Sequence, residues 1–113
     1  MADASDLKRI ALGLEGTTEA AHFDRTAFRV ARIYATLAAD GQTVNLAFTP
    51  DEQEFKVMMA PAAFSPIPNA WGQQGWTMLT LSEVDEAELR AALEMAWQHA
   101  LPRSKPKAKS RKA

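Results

Sequence analysis

Three arginines, Arg25, Arg29 and Arg32, fall within a stretch where apolar and polar residues alternate. Guanidinium groups at that density on a hairpin can contact phosphates, and a hairpin wing can enter a nucleic-acid groove. Their competing use is ordinary ion pairing with nearby acids. A second unusual stretch is Trp71-Gly72-Gln73-Gln74-Gly75-Trp76, two amide side chains framed by glycines and tryptophans. Glutamine can pair bidentately with adenine, and an exposed indole can stack on a base. The alternative is a tight turn with both rings on the core. By position Trp76 enters a strand and belongs with the core, while Trp71 is open to either role. A third feature is the C-terminal run containing Arg103, Lys105, Lys107, Lys109, Arg111 and Lys112. If all six met phosphates, log K would fall against log salt with a slope of about −5. Otherwise the run serves solubility.

Other chemistries find less support. The chain has no cysteine, which excludes disulfides, thiol catalysis and cysteine-ligated metals. His22 and His99 are the only histidines, in no ligand spacing, and His22 reads as a turn or sheet-edge residue. Asp3, Asp6, Glu15 and Glu19 could offer oxygens to a hard cation, but they do not share one helical face and read as a solvated surface. No glycine-rich phosphate loop follows a strand. The expectation is therefore no enzyme, no cofactor and no metal.

The formal net charge of −1 hides a split. Residues 1–101 hold seven basic and fourteen acidic side chains, a net of −7, and residues 102–113 hold six basic and none acidic. The 113 residues suffice for one domain, and 47% hydrophobic content can supply its core. No apolar run approaches the ~20 residues of a membrane span, and the polar, acidic start is unlike a signal peptide. The expectation is a cytoplasmic monomer, with residues 1–101 folded and 102–113 a disordered basic tail.

The positioning elements follow from periodicity. Leu7, Ile10, Ala11 and Leu14 form one helical stripe, with Asp3 or Ser5 as cap. Residues 17–48 read as strands; the apolar parity changes between Val30 and Ile33, which predicts a turn or bulge at Ala31-Arg32. Asp40-Gly41 signals a hairpin turn. Thr49-Pro50-Asp51-Glu52 has the capping-box spacing of a second helix, with Phe55, Met58 and Met59 expected on its buried side. Residues 61–75 read as an ordered loop and 76–81 as a strand. Asp85 and Glu88 cap a last helix whose stripe is Leu89, Ala92, Leu93, Ala96, Trp97 and Ala100, ended by Pro102. The order gives an α+β domain, helices on one face of an antiparallel sheet.

Several segments together resemble the MmcQ/YjbR family: His22-Phe23, Ala27 to Val30, Ile33 to Leu37, the Trp71 to Thr77 stretch, and Val84 to Leu89. The likeness covers roughly residues 5–101. It implies a CyaY-like fold, a twisted antiparallel sheet backed by helices, and a DNA-binding role through a double wing of hairpins. Position carries the wing contact to Arg29 and Arg32 and to the Trp71–Trp76 loop. The chain departs from the family in having Gln73 and Gln74 where basic residues are common, and in its basic tail. The fold also resembles that of frataxin, which binds iron through acidic side chains; here Lys8 and Arg9 interrupt the acids of the first helix. The resulting expectation is a non-enzymatic, weak and largely sequence-nonspecific DNA binder. The tail and Arg25, Arg29 and Arg32 would meet phosphates, and Trp71, Gln73 and Gln74 would add contacts. The alternatives are a protein- or small-ligand-binding module using the Pro/Trp loop, or frataxin-like metal binding.

Overall fold

Reciprocal capping boxes start three of the four described α-helices. In the computed structural model, which describes residues 1–102, Asp3, Thr49 and Asp85 each accept the backbone N–H three residues on. An acidic side chain at that third position accepts the cap's own N–H in return. These boxes open α1 (Ala4–Gly13), α2 (Pro50–Met59) and α4 (Glu86–His99). The strands are β1 (Thr18–His22), β2 (Arg25–Arg29), β3 (Ile33–Leu37), β4 (Thr43–Ala47), β5 (Phe64–Pro66) and β6 (Trp76–Thr80). A short helix α3 (Ala70–Gln73) precedes β6.

The six strands form one antiparallel sheet in the order β1-β2-β3-β4-β6-β5. Registered partners share a face, so Phe28, Ala35 and Leu46 line up on one side, as do Leu37, Val44, Leu79 and Phe64. These residues, with Leu7 and Ile10 of α1 and Leu89 and Leu93 of α4, are the core. The opposite face carries Arg25, Ala27, Thr36, Asn45, Ala47 and Trp76 in the alternate positions. No described helix is long and apolar enough to cross a membrane.

The α+β architecture is as the sequence predicts, with four local differences. The parity change is shared between the Val30–Arg32 bend and a bulge at Tyr34, which the β2–β3 register passes over. The extra residue turns Tyr34 inward, and its hydroxyl stands 2.9 Å from Thr17 Oγ1 and 3.4 Å from the Ala11 carbonyl. At the β3–β4 turn only Gly41 takes a positive φ (74°), so the turn is wider than a two-residue primed one. Residues 61–75 are not all loop, since they contain β5 and α3. The largest difference is α2. Phe55, Met58 and Met59 are 52%, 68% and 65% exposed, and no residue of this helix is buried. The 3.6-residue spacing is present, but α2 lies at the β5 edge of the sheet, where the core has ended. Only Val57 and Ala60 pack against it.

Candidate functional site

The face of the sheet opposite α1 and α4 forms the floor of a groove of about 1260 Å³. Thr36, Asn45, Ala47 and Trp76 supply the floor. One end is bordered by the β1–β2 turn with His22, Phe23 and Arg25, and the other by Trp71 and Gln74 beside α3. Arg29 and Arg32 line it where β2 ends and β3 begins, next to His99 and Pro102 at the end of α4. The fold thus brings together five predicted residues from distant segments: Arg25, Arg29, Arg32, Trp71 and Gln74. Gln73 lies elsewhere, against a smaller cleft with Pro66 and Pro68. Arg103, Lys105, Lys107, Lys109, Arg111 and Lys112 lie outside the described residues.

Charge is distributed unevenly in this acidic domain. The groove lining contains three arginines and no aspartate or glutamate. Among the described residues the ion pairs use Lys8, Arg9, Arg90 and His99, never Arg25, Arg29 or Arg32. The three are not equivalent. Half-buried Arg25 donates through Nε to Thr36 Oγ1 (2.9 Å) and through Nη2 to the Thr36 carbonyl (2.8 Å), which fixes its guanidinium on the sheet. Arg29 and Arg32 are exposed, and Arg29 makes only a 3.5 Å contact with the Ala31 carbonyl, too long to hold it. Two exposed donors and one fixed one are suited to an anion that arrives from solvent.

The tryptophan-bearing loop is built by its glycines. A Cβ on Gly72 would stand 1.8 Å from the Ile67 carbonyl oxygen, and one on Gly75 would stand 2.1 Å from that of Phe48. Gly75 also takes φ +113. These contacts let the loop close over the β4–α2 junction, where the Gln53 amide donates to the carbonyls of Gly72 (3.0 Å) and Trp76 (2.8 Å). Trp71 packs edge-on against Trp76, ring centroids 6.1 Å apart, yet remains 58% exposed. Trp76 is half-buried. One indole therefore supports the other and leaves it open to the groove.

Three features of the site had weaker signals in the sequence. Phe23 is 94% exposed at the β1–β2 turn and takes φ 58, a left-handed conformation that costs a bulky residue of order 1 kcal/mol. Its one aromatic contact is an edge-on packing with His22 at 4.8 Å. His22 is itself exposed. The His22-Phe23-Asp24 break between alternating segments was the available clue. His99 Nε2 stands 2.8 Å from Glu52 Oε1, the same oxygen that caps α2, so the pair ties α4 to α2 beside the groove. Gln53, one residue on, had no signal at all. The acids considered for a cation are otherwise engaged in part: Asp3 and Asp6 form the α1 capping box, and Glu19 pairs with Lys8 at 3.8 Å. Among the described residues no three His, Asp or Glu side chains gather as metal ligands.

Comparison with known proteins places the fold. The YjbR family model matches residues 12–99, most of the chain. The crystal structure of Deinococcus radiodurans protein DR2400, described with domain DUF419, has the same fold. It aligns with TM-score 0.71 and 21% identity over 85% of this chain and 76% of that one. No curated protein sequence matches.

Proposed function

The chain belongs to the YjbR family, and from that premise we propose that it is a non-enzymatic nucleic-acid-binding domain, weak in affinity and with little sequence preference. The observation that carries the reading is the acid-free groove holding Arg25, Arg29 and Arg32 in a domain of net charge −7. Surface arginines of an acidic domain would pair with its acids unless their surroundings kept acids away. Phosphates would be met by exposed Arg29 and Arg32, with Arg25 as a fixed donor behind them. The described chain ends at Pro102, on the groove border, so the six positive charges of residues 103–113 enter the sequence next to it. Their number and sign assign further phosphate contacts to them, and affinity then depends strongly on salt.

The reading is tested by measuring DNA binding across a salt series for the full chain and for Arg29→Ala and Arg32→Ala. Each substitution should weaken binding evenly across sequences and flatten the slope of log K against log salt by about 1. Wild-type affinity and slope in both variants would remove the groove from the account. An absence of binding by the full chain at physiological salt would end the reading altogether.

A further inference from the structure

Resting on the nucleic-acid reading, we infer that the groove takes a single strand with unpaired bases, held by stacking on Phe23 and Trp71. Two exposed aromatic rings border it, Phe23 at the β1–β2 turn and Trp71 beside Trp76, and Arg25, Arg29 and Arg32 share the same lining. Neither ring is placed there by the needs of the core. Phe23 occupies a left-handed turn position that asparagine or glycine would fill more easily, and almost all of its surface faces solvent. Trp71 is lifted out by a helix of four residues and two glycines that tolerate no Cβ.

The ring positions discriminate between forms of nucleic acid. Bases inside a duplex have both faces covered by their neighbours and cannot stack on a protein ring unless they are flipped out. A single strand offers its base faces freely, and sequence-tolerant binding by aromatic platforms in a basic groove is its usual mode of recognition. Size agrees. Phe23 follows β1 at the β2 end and Trp71 packs on Trp76 of β6, three strand spacings and about four residues of strand length away, roughly 20 Å at the usual strand spacing and rise. The groove of about 1260 Å³ exceeds the ~300–1,000 Å³ of most small-molecule pockets. An extended chain of a few nucleotides spans both rings, whereas one nucleotide reaches only one. The amides of Asn45 and Gln74 also line the groove and offer hydrogen bonds without demanding one base.

The test uses the full chain and fluorescence anisotropy with a labelled oligothymidine, the matching duplex, and thymidine monophosphate as competitor. The single strand should bind more tightly than the duplex and the monophosphate should compete poorly. Trp71→Ala and Phe23→Asn should each weaken single-strand binding about tenfold and leave duplex binding unchanged. Phe23→Asn suits the turn and should leave the melting temperature unchanged or higher, which separates lost stacking from lost structure. Equal affinity for single strand and duplex, untouched by either substitution, overturns the single-strand assignment and leaves the nucleic-acid reading standing. Competition by the monophosphate as strong as by the oligomer overturns the strand in favour of a free nucleotide. Binding of no nucleic acid overturns both.

Discussion

Tyr34 shows how one residue links the sheet to its helices. It is fully buried, and burial pushes its phenol above the ordinary value of 10.0, an effect offset in part by the Thr17 contact. Because the folded state holds this proton more tightly than the unfolded chain, the stability it contributes is complete below pH ~10 and falls as pH rises through the elevated value. Tyr34→Phe should cost about 1 kcal/mol at neutral pH, from the lost hydroxyl contacts. It should also flatten the alkaline limb of the stability profile; denaturant titrations across pH would measure both. Gly72 and Gly75 act at the same scale. Gly72→Ala forces a methyl group into the Ile67 carbonyl and Gly75→Ala one into that of Phe48. Each should destabilise by about 2 kcal/mol or more and disturb the Trp71 environment, read from urea midpoints and tryptophan fluorescence.

Among the elements, α2 departs furthest from its sequence pattern. Its start was legible, because the bonds that begin it, between Thr49 and Glu52, join residues three apart, with Pro50 at the first turn. Its buried side was not, because periodicity reports which residues share a face and not what lies opposite that face. Phe55, Met58 and Met59 share a side with little beneath it. Met58→Lys should therefore change stability by less than about 0.5 kcal/mol, whereas Leu93→Ala in α4, fully buried, should cost about 2–5 kcal/mol. Thermal melts of the two variants would separate a solvent-facing stripe from a core one. The same reasoning covers the loop over 61–75. Its prolines and glycines marked turns correctly, but β5 is three residues long and exists because β6 offers it an edge.

For the whole molecule, the net charge of −1 describes neither part of the chain. The described domain is acidic, yet Arg25, Arg29 and Arg32 line a groove whose lining holds no acid, and the proposed reading puts the anion there. Removing residues 103–113 should weaken DNA binding and reduce the salt slope by about 5, to leave only the few contacts of the groove. A truncated chain with an unchanged slope would show that the tail meets no phosphates. The removed run, Arg103-Ser104-Lys105-Pro106-Lys107-Ala108-Lys109-Ser110-Arg111-Lys112-Ala113, carries no large apolar side chain, so the truncation should melt at the same temperature as the full chain.

The sequence by itself determined the helix starts, the alternating strands, the charge split and the residues able to meet phosphates or bases. Each of these depends on neighbours a few positions away, within reach of capping bonds, side-chain periodicity or simple counting. Only the tertiary structure decided that Arg25, Arg29 and Arg32 from one hairpin region and Trp71 and Gln74 from a distant loop share one groove while Gln73 does not. It alone exposed Phe23 and the α2 stripe and joined His99 to Glu52. The reason is the strand order: inserting β6 beside β4 carries the tryptophan loop across the sheet, and no local pattern encodes that pairing.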